Sequence, residues 1–316
     1  MLSSPAIMPR ASVIVATYNQ PEYLRLVLAS LSVQTARDFE VIVSDDGSRP
    51  DTGELVASLQ KTSPFPLKYH WQEDTGYRLA EARNAGIRIA DSDWMIFIDG
   101  DMVLHRRFVE AHLALAAENR LLLGGRVKLT QEFSRSLTPE DVLGEGITRR
   151  YYREYATCRE KDYAPVYEKA HHKLSSAWIQ RLGGTYIGGP LWIGDAIARA
   201  VPRPVYMKVA FKIGANFSTS RKVLERVNGF DRQFDGLSGE DGEFFWRCFN
   251  AGVVPRSVVL RAIGYHLWHR EQWQRVGEQR DRSLGIERAT REGKRTRAVH
   301  GLVDERSGSP SVASAP

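Results

Sequence analysis

The chain has 316 residues, of which 42% are hydrophobic and 26% are charged, and its formal net charge is +6. A chain of this size can bury a substantial core, and its positive charge favours anionic partners such as nucleotide diphosphates, acidic glycans or a membrane surface. With only two cysteines, no apolar run near the roughly 18 residues of a membrane helix and no signal-peptide core near the N-terminus, the sequence predicts a protein of the reducing cytosol.

Strand-like and helix-like segments alternate through the first 130 residues. Short apolar runs predict buried strands, and apolar residues at intervals of three and four predict amphipathic helices. The predicted strands are 12–16, 39–43, 68–71, 94–98 and 121–127. A helix is predicted to begin near Pro21, with Asn19 as its expected N-cap, and two further helices are predicted at about 78–90 and 106–119. This alternation predicts an α/β fold with a mostly parallel central sheet and flanking helices.

The regular pattern stops at residue 131 and resumes after residue 210. Residues 131–210 are rich in Arg, Tyr and His and have no clear periodicity, which fits either a substrate-facing insertion or an irregular connection. Helices are then predicted at 221–227, ended by Gly229, and at 240–250. Cys248 lies in the second of these helices and is expected to be an inert core thiol.

Acidic residues follow two of the predicted strands. Asp99 and Asp101 flank Gly100, and Asp46 belongs to the segment Ser44–Ser48. Ligands of such sheets bind beyond the carboxyl ends of the strands, so a functional carboxylate belongs there. Two carboxylates around a glycine suit a hard cation that also binds phosphate, with the glycine leaving room for a diphosphate, and Asp46 can accept hydrogen bonds from a nucleoside. A turn is the structural alternative for both segments.

Three further groups have both a chemical and a structural interpretation. Arg83, on a predicted helix, can offer two parallel donors to a diphosphate or can be a solvated helix residue. Glu240 and Asp241 begin a helix, where acids are favoured by the helix dipole, but one of them can also act as a general base. His266 and His269, three residues apart, can complete a metal site or be structural.

These segments resemble a known family. Three early segments resemble the donor half of family 2 inverting glycosyltransferases, namely residues 12–19, 39–48 and 94–101. Three later segments resemble the acceptor-side module of galactosyltransferases and chondroitin-polymerase catalytic domains, namely residues 214–218, 229–231 and 239–241. The resemblance implies a nucleotide-diphospho-sugar transferase fold of the GT-A type, a UDP-sugar donor and Mn²⁺ or Mg²⁺.

The resemblance also implies roles for single residues. The implied donor contacts are Thr17 and Tyr18 beside the uracil, Asp46 at the nucleoside, Arg83 near the diphosphate, and Asp99. The implied metal ligands are Asp101, bound directly, Asp99, and His266, with His269 as the alternative to His266. The implied catalytic base is Asp241, with Glu240 in contact with the acceptor.

The predicted organisation is one GT-A domain with a C-terminal extension. Residues 1–130 form the donor half, 131–270 the acceptor and catalytic half, 271–306 a basic helical extension, and 307–316 a disordered tail. The expected partners are a UDP-sugar and a saccharide or lipid-linked saccharide acceptor of surface polysaccharide synthesis, without nucleic acid. The donated sugar is a hexosamine, galactose, glucose or uronic acid. The extension is a candidate for contact with the inner face of the membrane, for packing on the domain, or for forming a homodimer.

Other classes of protein fit the sequence less well. A sugar-1-phosphate nucleotidyltransferase needs a glycine-rich basic loop after the first strand, where this chain has Ala16 to Pro21 without a glycine or a basic residue. A non-catalytic glycan-binding protein accounts for the charge but not for the paired acids. A dinucleotide-dependent oxidoreductase is excluded because no strand is followed by a G-x-G-x-x-G motif.

Overall fold

The computed structural model describes residues 8–144, 147, 214–258, 261–269 and 278–304. Most of the predicted insertion and the predicted tail 307–316 lie outside the described residues, as does Cys158. No helix within the described residues has the length and apolar character to span a membrane.

Strands and helices alternate along the first part of the chain, as predicted. The described strands are β1 (Ala11–Thr17), β2 (Phe39–Asp45), β3 (Leu67–Trp71), β4 (Trp94–Asp99), β5 (Met102–Leu104), β6 (Arg120–Leu123), β7 (Gly125–Lys128), β8 (Asn216–Ser220), β9 (Val254–Ser257) and β10 (Ile263–His266). The described α-helices are α1 (Pro21–Ser32), α2 (Pro50–Gln60), α3 (Leu79–Ile89), α4 (Phe108–Leu113), α5 (Gln131–Ser136), α6 (Pro139–Leu143), α7 (Arg221–Val227), α8 (Glu240–Asn250) and α9 (Glu278–Glu292). A 3₁₀ turn covers Arg232–Phe234.

The central sheet is mixed but mostly parallel. Among the described residues it has seven strands in the order β3-β2-β1-β4-β8-β6-β9, and β8 runs antiparallel to both of its neighbours. The order along the chain reverses between β1 and β4, which pair in parallel with Ala16 opposite Asp99. Such a switch point opens a crevice at the carboxyl ends of the two strands, where ligands bind in this class of fold.

Alternating side chains of β1 and β4 enter two separate cores. Val13 and Val15 pack on the α1 face of the sheet, whereas Ile14 and Phe97 pack on the opposite face with α3, α7 and α8. Each apolar side chain that is fully buried contributes roughly 1.5–3 kcal/mol to folding. Cys248 lies in the second core, where burial raises the pKa of its thiol to about 12, so the predicted core thiol is confirmed.

The single strand predicted at 121–127 is wrong, because the chain breaks there into two strands of different sheets. β6 belongs to the central sheet, and β7 joins a small sheet of order β5-β10-β7. A side chain at Gly124 would overlap Asn216, which is buried at the break. The Asn216 amide donates to the carbonyls of Gly125 and Ala262, each at 2.8 Å, and so joins the two sheets.

The predicted helix cap at Asn19 is also wrong. Asn19 has a φ of 50°, in the left-handed region. Its side-chain oxygen accepts the Arg49 N–H at 2.9 Å, and its own N–H donates to Ser48 Oγ at 2.7 Å. The residue therefore ties the loop after β1 to the loop after β2. Pro21 begins the helix as expected.

The described part of the C-terminal extension packs against helix α8. Helix α9 begins at Glu278 and lies against α8. Trp246 Nε1 donates to Glu287 Oε1 at 3.1 Å, and Thr290 Oγ1 donates to Glu243 Oε1 at 3.0 Å. Of the three roles considered for the extension, these contacts agree with packing on the domain.

Candidate active site

Asp46, the predicted nucleoside contact, is the residue that follows β2. Its backbone N–H donates to the Thr17 carbonyl at 3.0 Å, which fixes it beside the end of β1. Its carboxylate accepts hydrogen bonds from the Arg78 N–H at 2.8 Å and from Gln72 Nε2. Burial raises the pKa of Asp46 to about 6, although these two hydrogen bonds act in the opposite direction.

The two acids after β2 have different surroundings. Asp45 is fully buried, and its carboxylate accepts the Ser48 N–H at 2.8 Å and the Tyr69 hydroxyl at 2.7 Å, so it holds the turn together. Thr17 Oγ1 is buried and makes no hydrogen bond within the described residues. Tyr18 lies at the exposed rim, where its hydroxyl donates to Asp74 at 3.0 Å.

Gly100, between the two acids after β4, is required by β1. A Cβ at this position would lie 2.8 Å from Thr17 Oγ1 and 3.0 Å from the Ala16 carbonyl oxygen. The Gly100 N–H also donates to that carbonyl at 2.7 Å. The absence of a side chain at Gly100 therefore allows β4 to approach β1 closely. The presence of a glycine here is explained without the predicted role of admitting a diphosphate.

Asp99 extends the face of β4 that carries Phe97, and it meets Arg83 of α3. Arg83 Nη2 donates to Asp99 Oδ1 at 3.1 Å, and Arg83 Nη1 donates to Glu240 Oε1 at 2.7 Å. The Arg83 side chain is only 2% exposed. The predicted contact of Arg83 with a diphosphate does not fit this geometry, because the guanidinium is enclosed and both terminal nitrogens already donate to protein carboxylates.

Asp101 forms a cluster with both candidate histidines. Its Oδ2 lies 3.0 Å from His269 Nε2 and 3.4 Å from His266 Nε2. One potential ligand atom of each residue lies within 4.8 Å of the others, and Asp101 Oδ1 is buried and has no hydrogen-bond partner among the described residues. Burial acts to raise the pKa of Asp101, but His266 and His269 hold it below its ordinary value. Asp99 is paired with Arg83 instead of joining this cluster.

The small sheet brings the histidines to Asp101. β10 runs antiparallel to β5 with His266 opposite Met102, and the Leu267 N–H continues the pairing to the Asp101 carbonyl at 2.9 Å. Tyr23 of α1 donates its hydroxyl to the Trp268 carbonyl at 2.5 Å. This pairing is non-local in the sequence, yet it places both His266 and His269 on one carboxylate.

The predicted catalytic acids begin α8, where Gly239 has a φ of 113°. Glu240 points inward, is 3% exposed, and accepts the Gly239 N–H at 2.9 Å in addition to Arg83. Burial and the Asp241 carboxylate raise the pKa of Glu240 to about 7, with Arg83 acting in the opposite direction. Asp241 is partly exposed and lies so close to Gly214 that a Cβ there would overlap its carboxylate.

Some residues of the site had no predicted role. Gln72 and Arg78 hold Asp46 through contacts that no sequence pattern signals. Tyr77 lies beside Glu240, Arg83 and two further acids, and burial followed by the Glu240 charge raises the pKa of its phenol well above the ordinary value. The sequence signal for a role of Tyr77 in the site is its position directly before Arg78, in the segment that leads to Arg83.

The switch-point crevice, the strand-end acids and the acidic helix N-terminus together define a glycosyltransferase of the GT-A fold. A model of Glycosyl transferase family 2 matches residues 12–181, more than half of the chain, and the chain belongs to this family. The predicted family, fold class and enzyme class are thereby confirmed. The nucleotidyltransferase and non-catalytic alternatives are excluded.

Named relatives extend the family match over most of the chain. Validoxylamine A glucosyltransferase of Streptomyces hygroscopicus subsp. jinggangensis is 40% identical over 275 residues, which cover 83% of this chain and 56% of that protein. Chondroitin synthase of Escherichia coli is 30% identical over 264 residues, covering 82% of this chain and 35% of that protein. The chain therefore spans between a third and somewhat more than half of these relatives.

Solved structures share the fold at low sequence identity. Staphylococcus aureus TarS gives a TM-score of 0.51 at 17% identity, covering 82% of this chain and 37% of TarS. Mannosyltransferase PcManGT from Pyrobaculum calidifontis, solved in complex with GDP-Man and Mn²⁺, gives 0.52 at 16% identity, covering 92% of this chain and 73% of that one. A third structure is of TarS residues 1–349 in complex with UDP, at a TM-score of 0.50 and 17% identity, covering 81% of this chain and 60% of that chain.

Proposed function

We propose that the chain transfers a hexosyl group from a UDP-sugar to a hydroxyl of a saccharide or lipid-linked saccharide, with inversion at the anomeric carbon. The observation that carries this proposal is the Asp101–His266–His269 cluster at the switch point, where the buried Asp101 Oδ1 has no hydrogen-bond partner in the described part of the chain. The TarS complex with UDP supports a uridine nucleotide. PcManGT, with GDP-Man and Mn²⁺, supports a metal-assisted diphosphate donor of the same fold.

Asp101, His266 and His269 are the residues proposed to hold a divalent cation. Asp101 Oδ1, which no described residue contacts by a hydrogen bond, and the two imidazoles fit such an ion. Imidazole ligands favour a transition metal such as Mn²⁺ over Mg²⁺, which prefers oxygen ligands. A bound cation supplies neutralisation of the charge that develops on the departing diphosphate. The protein holds the three side chains, Asp101, His266 and His269, at the end of β4, beside the part of the crevice proposed to bind the nucleoside.

The nucleoside is proposed to lie against Asp46 and Thr17. An ionised carboxylate accepts a hydrogen bond from the imide N–H of uracil, and the Asp46 carboxylate is oriented for this by Gln72 and the Arg78 amide. Thr17 Oγ1, which is buried and makes no hydrogen bond to any described residue, offers a further polar contact. Tyr18, which directly follows Thr17, is proposed to lie beside the same nucleoside.

Asp241 is proposed to be the general base. In a single displacement, the acceptor oxygen bonds to the anomeric carbon as the bond from that carbon to the phosphate oxygen breaks, and Asp241 takes the acceptor proton. Inversion follows because the acceptor attacks the face opposite the diphosphate. Asp241 fits this role because it is partly exposed, whereas Glu240 is turned into the protein.

The names of the relatives guide the choice of sugar and acceptor to test. The relative at 40% identity is named a validoxylamine A glucosyltransferase, and those at 29–30% are named as chondroitin and hyaluronan synthases. UDP-glucose is therefore the first donor to test, with UDP-hexosamines and UDP-glucuronic acid next. Validoxylamine A and a polysaccharide end are the two acceptors to test, and surface polysaccharide synthesis in the cytoplasm remains the proposed setting.

The substitution Asp241→Asn tests the proposal. We expect turnover to fall about 10²- to 10⁴-fold, the usual contribution of a general base, because the amide cannot take the acceptor proton. The dissociation constant of UDP, measured by calorimetry with Mn²⁺, should stay within about twofold, because Asp241 does not contact the nucleotide in this proposal. Asp93→Asn, at a side chain that is 99% exposed, is the matched control. Wild-type turnover in Asp241→Asn would remove the base from the proposal.

A further inference from the structure

Arg83 is the centre of a buried network that joins the two halves of the domain. Its Nη1 donates to Glu240 of α8 at 2.7 Å, and its Nη2 donates to Asp99 of β4 at 3.1 Å and to the Gly214 carbonyl before β8 at 3.3 Å. The three partners are 157, 16 and 131 residues away along the chain. One guanidinium therefore fixes α3, β4, α8 and the start of β8 relative to one another.

The surroundings keep this guanidinium in place. Arg83 and Glu240 are only 2% and 3% exposed, and the Arg83 guanidinium carbon lies 5.3 Å from the centre of the Phe230 ring and 6.0 Å from that of Phe217. A buried charge has to be paired, so the guanidinium cannot leave Glu240 and Asp99 without a large cost. A planar fork with fixed donor directions also suits a bridge between two carboxylates better than a flexible ammonium does.

The network ends beside the proposed base. Glu240 directly precedes Asp241, and Gly214, whose carbonyl accepts from Arg83, leaves the space that the Asp241 carboxylate occupies. Asp99, at the other end of the network, is two residues from Asp101. Arg83 and Glu240 thus set the distance between the strand end that carries the donor-side acids and the helix end that carries Asp241.

We propose that Arg83 and Glu240 are positioning residues that hold Asp241 against the donor site and touch neither donor nor acceptor. The proposal rests on Asp241 being the base under the proposed function. It replaces the two roles that the family resemblance implies, a diphosphate contact for Arg83 and an acceptor contact for Glu240. Since an error of about 1 Å in the placement of a reacting group can cost roughly 10²-fold in rate, loss of the network should appear in kcat.

The test measures kcat, the acceptor KM, and the affinities for UDP and uridine in Arg83→Met, Glu240→Gln and the double variant. Each single substitution is expected to lower kcat about 10- to 100-fold. The acceptor KM, and the ratio of the UDP affinity to the uridine affinity, should both stay within about twofold of the wild-type values. The double variant should lose no more kcat than Arg83→Met alone, because the two residues act as one unit. The double variant removes both members of the Arg83–Glu240 pair and therefore leaves neither without the other. It can be measured even if a single variant folds poorly.

The matched control is Glu243→Gln, on the same helix. Glu243 is 2% exposed and pairs with Arg247 at 2.8 Å, but that pair does not reach Asp99. We expect this control to lower the melting temperature while kcat stays within about twofold.

Three results would overturn the proposal: a tenfold rise in acceptor KM for Glu240→Gln at constant kcat, a tenfold loss of UDP affinity relative to uridine in Arg83→Met, or an equal loss of kcat in Glu243→Gln. Asp241→Asn, measured in parallel, reports separately on the proposed function.

Discussion

Asp46 combines deep burial with a position at the open end of the sheet, and its protonation should control nucleoside binding. Because burial raises its pKa to about 6, the carboxylate is ionised at pH 7.5 and mostly protonated at pH 5. The protonated form loses its capacity to accept the uracil imide, so uridine affinity should be roughly tenfold weaker at pH 5 than at pH 7.5. Uridine is preferred to UDP in this titration because a terminal phosphate also titrates near pH 6.

Two variants complete the pH experiment. In Asp46→Asn, uridine binding should be weak and independent of pH, since no carboxyl group titrates at the site. Asp235, which lies near Arg78, serves as the control, because burial also raises the pKa of Asp235 to about 6. Uridine binding by Asp235→Asn should keep the full pH dependence of the wild type. Equal wild-type affinities at the two pH values would contradict the role of Asp46.

At the scale of elements, the junction between α7 and the C-terminal segment can be tested by itself. Asn228 ends α7 with a φ of 61°, its amide donates to the Ala298 and Val303 carbonyls at 2.9 and 2.8 Å, and its oxygen accepts the Val303 N–H at 2.8 Å. Asn228→Gly keeps the left-handed backbone but removes these bonds, so the free energy of unfolding should fall by about 3 kcal/mol. Asn228→Ala should lose about 1 kcal/mol more through backbone strain.

Urea unfolding of the two variants measures both effects. A glycine variant as stable as the wild type would show that the C-terminal segment is not anchored through Asn228. Equal stabilities of the glycine and alanine variants would show that the left-handed backbone carries no cost at this position.

The sequence predicted those elements whose signal is local. β1, β2 and β4 contain continuous apolar runs, and β3 alternates Leu, Tyr and Trp with Lys and His. Helix α8 matches its predicted limits because Gly239 and Gly252 bound it. Helix α2 was not predicted, since Leu55 and Val56 are its only buried apolar residues. Helix α4 ends at Leu113, well short of the predicted residue 119, and the chain turns before β6.

The site was predictable to the extent that its residues stand at strand ends. Asp46 and Asp101 occupy such ends, and the parallel sheet brings them to one edge. The pairing of His269 with Asp101 depends on β10 joining β5, with His266 opposite Met102. The enclosure of Arg83 involves Glu240, which is 157 residues away along the chain. Neither follows from local patterns, so the diphosphate contact that the resemblance implies for Arg83 is not favoured by its burial.

In the whole molecule, the proposed site draws on both parts of the predicted domain. Thr17, Asp46 and Asp101 lie at the ends of β1, β2 and β4, within residues 1–130. Asp241 lies in α8, and the two histidines lie at the end of β10 and just after it, within residues 131–270. We therefore expect the strand ends to bind the donor and the segments around α8 to bind the acceptor.

A metal-dependent transfer from a UDP-sugar is the activity proposed for the Asp101–His266–His269 cluster and the crevice beside it. The most direct measurement is UDP release from a panel of UDP-sugars, UDP-glucose first, after chelation and again with added Mn²⁺, in the wild type and in Asp101→Ala. We expect one donor to be used far faster than the others, release to stop on chelation and return with Mn²⁺, and Asp101→Ala to stay inactive in both states. Release that is unchanged by chelation, or that persists in Asp101→Ala, would contradict this account.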